Sequence, residues 1–160
     1  TGWRLGGSIG PKYVIDQINR LNVNMESCTT HFVQYAGIAG LEAPKQETQE
    51  IIDVLRERRD ILVNILNNID GIEAHSPEAG FYVFPQITTL MKDIGFTDPE
   101  EFRKTVLNET GVSFCGRHHF GRPLEEEKDF YIRLAFSGID KEDLTEGMNK
   151  FKNWIESRRN

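Results

Sequence analysis

Apolar residues recur along this chain at two spacings, three-to-four and two, and the change of period marks out its elements. After a glycine-rich opening, Gly10-Pro11 starts a segment in which Val14, Ile15, Ile18 and Leu21 keep the spacing of one helix face. A second helix is predicted over 30–41, with Phe32, Val33, Ala36 and Ala39 inward and Thr29 or Thr30 as its cap. Pro44 interrupts the chain. A long helix follows over 47–68: Ile51, Leu55, Leu62, Ile65, Leu66 and Ile69 form its apolar stripe, and Glu50, Asp53, Glu57 and Arg58 its solvated face. Gly71 is placed to end it.

Beyond Gly71 shorter runs alternate with helical ones. Phe81-Tyr82-Val83-Phe84 is aromatic and β-branched and reads as a strand. Asp98-Pro99 opens a helix, Asp98 as cap and Pro99 in the first turn; it carries Phe102, Val106 and Leu107 and stops at Gly111. Residues 112–115 form a short strand and 116–128 a polar loop. From 130 to 136 the period is two: Phe130, Ile132, Leu134 and Phe136 share one face, and Tyr131, Arg133 and Ala135 the other. Asp140 caps the last helix, with Asp143 at its third position and Leu144, Met148, Phe151 and Ile155 as the buried stripe. The first ten residues, with Leu5 and Ile9 as apolar positions, read as a strand leading into a turn. The order after Gly71 suits a small sheet covered by helices.

Composition narrows the partners. The 160 residues are 38% hydrophobic and carry a net charge of -6, an acidic balance that argues against a nucleic-acid-binding face. No run approaches the roughly 18 apolar residues of a membrane span, and no basic region followed by an apolar stretch opens the chain. Neither nucleic acid nor membrane is expected as a partner. Cys28 and Cys115 lack metal or redox spacing and read as free thiols of a reducing cytoplasm. His118 and His119, read as strand neighbours, point to opposite sides, and no histidine has a metal-type ligand four residues after it. No metal site is therefore expected, and the pair reads as solvated loop residues.

Two arginines carry the candidate chemistry. Arg4 lies in Thr1-Gly2-Trp3-Arg4-Leu5-Gly6-Gly7, where glycines allow close approach and a guanidinium offers a rigid donor fork for phosphate oxygens. Thr1 and Trp3 read as turn and packing residues. Arg133 stands in the middle of an alternating strand, where burial would demand an anionic partner.

The run Thr1–Gly7 resembles the segment just after the cofactor lysine in class I/II aminotransferases, the fold-type I enzymes that use pyridoxal 5'-phosphate. Arg133-Leu134-Ala135-Phe136-Ser137 is similar to the family's carboxylate-binding strand, and Ser76 to Phe84 to its strand on the substrate side of the cleft. Val112-Ser113-Phe114-Cys115-Gly116 also resembles a family strand, with Cys115 where a proline is usual. The resemblance implies an α/β architecture. Residues 1–45, a strand and two helices, would end the large cofactor-binding domain, and residues 46–160 would be the α+β C-terminal small domain, opened by a connecting helix over 47–69.

It also implies roles. Arg4 and, more weakly, Thr29 would bind the cofactor phosphate; Arg133 the α-carboxylate; Gly80 and Tyr82 the substrate side of the cleft. The catalytic lysine would lie before Thr1, so the chain holds no catalytic residue and could not transfer amino groups alone. The implied activity is transfer of an amino group between an amino acid and a 2-oxo acid by a cytoplasmic homodimer. A pyridoxal-phosphate lyase, or the effector-sensing domain of a bacterial transcription regulator, would use the same residues. No second arginine is placed for a side-chain carboxylate; Arg20 is the nearest candidate.

Overall fold

The computed structural model describes residues 2–122 and 124–159; Thr1, with the turn role expected of it, lies outside the described residues. The chain divides into two compact units, Thr1–Gln49 and Glu50–Asn160.

In the first unit, residues 2–10 form no strand. A strand needs a hydrogen-bonding neighbour, and the elements of this unit are helices. Leu5 instead lies on the second helix, where a Cβ on Gly37 would come within 2.6 Å of its Cδ2. Trp3 sets its ring edge against Phe32, centroids 5.4 Å apart. Helix α1 spans Lys12–Met25 and α2 His31–Glu42. Thr30, not Thr29, is the residue before α2, and its side chain makes no capping hydrogen bond. Of the residues expected to face inward on these helices, only Val33 is buried; Phe32 remains 61% exposed. Apolar groups surround α2 on several sides, and two helices with one extended segment cover only one of them.

Helix α3, Lys45–Asn67, crosses the boundary into the second unit. Leu62 and Leu66 are fully buried there, whereas Ile51 of the expected stripe is exposed. The helix stops four residues before Gly71. That glycine has φ +77, and a Cβ on it would lie 2.8 Å from the backbone nitrogen of Leu90. Close approach explains it, not helix capping.

The sheet has three antiparallel strands in the order β1-β3-β2: β1 Tyr82–Val83, β2 Cys115–Gly116 and β3 Ile132–Ala135. Tyr82 pairs with Ala135, Val83 with Leu134, Cys115 with Arg133 and Gly116 with Ile132. Single bridges from Gln86 to Glu73 and to Tyr131 lengthen the ladder. Ile132, Leu134 and Phe136 point into the core, as the alternation predicts. The register therefore puts Tyr82, Cys115 and Arg133 together on the opposite face.

Helix α4, Thr88–Asp93, was not expected from the sequence. Distant groups hold it in place: Leu90 N donates to Gly71 O at 3.1 Å, and the Thr88 hydroxyl links Asp129 and the Phe130 N–H. Helix α5 is Pro99–Thr110. Asp98 Oδ1 accepts from Glu100 N at 2.9 Å, and Gly111 ends the helix in the left-handed conformation. In its first turn, hydrogen bonds from Arg103 hold the Glu100 carboxyl down to a pKa of about 2. Helix α6, Lys141–Arg159, starts with Asp143 N donating to Asp140 Oδ1 and buries Leu144, Met148, Phe151, Trp154 and Ile155. Phe102 of α5 is fully buried among the rings of Phe96, Phe114, Phe151 and Trp154.

No helix among the described residues is long and apolar enough to cross a membrane.

Candidate active site

Strand pairing alone fixes where Arg133 can reach. It lies directly across from Cys115 on β2 and diagonally from Tyr82 on β1, all on the face away from the core. Its guanidinium carbon sits 4.2 Å from the Tyr82 ring centre and 4.6 Å from that of Phe120. Nη2 donates to Cys115 Sγ at 3.8 Å. Nε is buried and has no hydrogen-bond partner, and Arg133 forms no ion pair among the described residues.

Further rings lie beyond Phe120. Phe84 stacks on Tyr131 at 5.3 Å with planes 4° apart, and meets Phe120 edge-on at 6.3 Å. Aromatic faces attract a guanidinium, yet they supply no negative charge. A half-buried arginine with a spare donor is able to take an anion. Its fork matches a carboxylate in particular.

Sequence reasoning missed Phe120. It belongs to a 3₁₀ turn, Arg117–Phe120, inside the stretch expected to be a polar loop. The one signal for it was an isolated aromatic among polar residues. The same turn corrects the reading of His118 and His119. Their rings lie side by side, centroids 4.1 Å apart, because successive residues of a 3₁₀ turn are about 120° apart and not 180°.

Gly80 does not join Arg133. It borders a groove of about 370 Å³ whose other walls include Ile52, Leu55, Arg56 and Arg59 of α3. Its φ of +75 favours glycine, and a Cβ there would touch no other described residue within 4 Å.

Arg4 and Thr29 belong to the first unit. Arg4 is exposed and has no hydrogen-bond or ion-pair partner among the described residues. Arg4 (φ 49) and Ser27 (φ 65) are the two non-glycine residues with positive φ among those described, a backbone state that costs energy and gathers at ligand-binding turns. Leu5 and Gly6, beside Arg4, and Ser27, Cys28 and Thr29 line one depression of about 380 Å³. Thr29 lends its carbonyl to Gln34 Nε2 at 2.8 Å.

The family model for aminotransferase class I and II matches residues 1–151. An aspartate aminotransferase of Sulfurisphaera tokodaii is 33% identical over 156 residues, 98% of this chain and 38% of that protein. An LL-diaminopimelate aminotransferase of Moorella thermoacetica is 34% identical over 152 residues, 95% of this chain and 36% of that protein. Among solved structures, an aromatic aminotransferase from Pyrococcus horikoshii superposes with a TM-score of 0.75 at 26% identity, covering 99% of this chain and 40% of that one. The chain thus spans well under half the length of the relatives it matches. With the family model covering nearly all of it and the fold shared with solved members, the chain belongs to the class I and II aminotransferase family.

Proposed function

We propose that this chain supplies the carboxylate grip and part of the phosphate grip of a pyridoxal-phosphate-dependent aminotransferase acting on an amino acid and a 2-oxo acid. One observation carries the reading: Arg133 is half-buried against two aromatic rings, with a buried Nε that has no partner. Arg133 binds the α-carboxylate that both substrates share, and so orients the amino or oxo carbon. Tyr82 and Phe120 flank the guanidinium with their rings. Arg4, with residues 27–29, holds the cofactor phosphate; its unpartnered guanidinium and the left-handed backbone at Arg4 and Ser27 support that role. When bound, the cofactor supplies the electron-withdrawing ring that lets an amino acid release its Cα proton.

The exposed Tyr13, Leu21, Phe32, Tyr35, Ile38 and Leu41 of the first unit support assembly as a homodimer. Two free cysteines suit the cytoplasm. The names of the relatives, aspartate and LL-diaminopimelate aminotransferase, favour amino transfer over a lyase or an effector sensor.

The test is steady-state transamination by the full-length protein loaded with cofactor. Arg133→Ala is expected to raise KM for amino acid and oxo acid together by about a hundredfold, the scale of losing one partner of a charge-assisted pair. A KM within twofold of the parent for both would overturn the assignment.

A further inference from the structure

We propose that Glu100, His118 and His119 form a binding site for a borderline divalent metal ion of the Zn²⁺ type, outside the carboxylate grip. One ligand atom from each of the three can be chosen so that all lie within 4.8 Å of one another. His118 Nε2 stands 3.3 Å from Glu100 Oε2. Tetrahedral zinc, with bonds of about 2.0–2.1 Å, sets neighbouring ligand atoms roughly 3.3 Å apart. That edge is already formed. The third ligand atom lies within 4.8 Å of both, and a small side-chain shift closes the rest.

The surroundings are arranged for ligation. His119 Nδ1 lies 3.2 Å from the Gly116 carbonyl oxygen. The Gly116 N–H also reaches His119 Nδ1, at 3.1 Å; metal binding at Nε2 selects the tautomer whose Nδ1–H donates to the carbonyl instead, at the cost of that bond. Gly116 lets the His118 ring lie on the chain: a Cβ there would come within 2.7 Å of His118 Cε1. Beside His118 opens a depression of about 160 Å³, bounded by Pro99, Glu127, Asp129 and Tyr131, with room for water on the remaining coordination positions.

Glu100 is shared. Arg103 donates to both its oxygens at 2.8 and 2.7 Å, and Lys104 stands 3.6 Å away. An ionised carboxylate has about four acceptor positions, so Arg103 can orient it while one lone pair goes to the ion. The two cations also weaken the site. Two imidazoles and one carboxylate select zinc, copper or nickel over magnesium or calcium. Binding would pin the 3₁₀ turn and with it Phe120 beside Arg133. That consequence rests on the carboxylate role proposed for Arg133; the metal site does not.

The experiment is calorimetric titration of ZnSO₄ into tag-free, EDTA-stripped full-length protein and into the His118→Gln, His118→Gln/His119→Gln and Glu100→Gln variants. The parent is expected to bind one more zinc equivalent than the double variant. His118→Gln and Glu100→Gln are each expected to bind it at least about tenfold more weakly. Both histidines are exposed, so an unchanged melting temperature in the His variants certifies their fold. Magnesium chloride is expected to give no heat at the site. No zinc in the parent, or equal stoichiometry and affinity in parent and double variant, would sink the site whatever the outcome for Arg133.

Discussion

Arg133 and Tyr82 are diagonal neighbours on one sheet face, the guanidinium carbon 4.2 Å from the tyrosine ring centre. The contact uses the face of the ring and leaves the phenolic hydroxyl out of it. Tyr82→Phe is therefore expected to bind substrate as the parent does. Tyr82→Leu removes a cation–π contact worth about 0.5–2 kcal/mol and should raise KM for amino acids about twofold to thirtyfold with little change in kcat. Steady-state kinetics on the cofactor-loaded full-length protein decides it. A drop in kcat at constant KM would mean that the ring acts on the chemistry and not on the grip.

What could be read from the sequence here was what is encoded locally. Asp98-Pro99 and Asp140 start their helices through contacts two or three residues away, and both were legible. The alternation at 130–136 put Arg133 on the non-core face before any coordinates. Helix α4 was not legible, because Thr88 and Thr89 disfavour a helix and its support comes from Gly71 and Asp129. The opening ten residues read as a strand because glycine-flanked apolar positions suit one, yet the described residues of their unit hold no strand to pair with them. Phe120 and the paired histidines were hidden by the 3₁₀ turn, whose period matches neither of the two spacings that organise the rest of the chain.

Glu109 joins α5 to α6. Its carboxylate accepts from Arg158 Nη2 at 2.8 and 2.9 Å and from the Trp154 indole N–H at 2.6 Å. Arg158 first, then Trp154, hold its pKa below the ordinary carboxylate value. A carboxyl whose folded pKa is depressed stabilises the fold fully above its unfolded value, about 4.3, and loses that contribution as pH falls through the folded value. The stability difference between parent and Glu109→Gln should hence be constant from about pH 7 to 5 and shrink below about 4.3. Urea unfolding followed by tryptophan emission at a series of pH values measures it. A difference that stays constant down to pH 3 would show that Glu109 acts by packing alone.

Gly71 and Gly95 separate two reasons for a glycine. Both have positive φ, +77 and +81. At Gly71 a new Cβ would also meet backbone, 2.8 Å from Leu90 N and 3.0 Å from Leu90 Cα, in a helix whose Leu90 is fully buried. At Gly95 it would meet nothing within 4 Å. Gly95→Ala should cost only the left-handed penalty, about 1–2 kcal/mol. Gly71→Ala adds displacement of packed backbone and should cost about 2–5 kcal/mol in all. Urea midpoints at unchanged slope give both values. Equal losses would mean that α4 yields freely around position 71. Its hydrogen bond from Leu90 N to Gly71 O, 3.1 Å long, would then be a contact the fold can give up without moving its core.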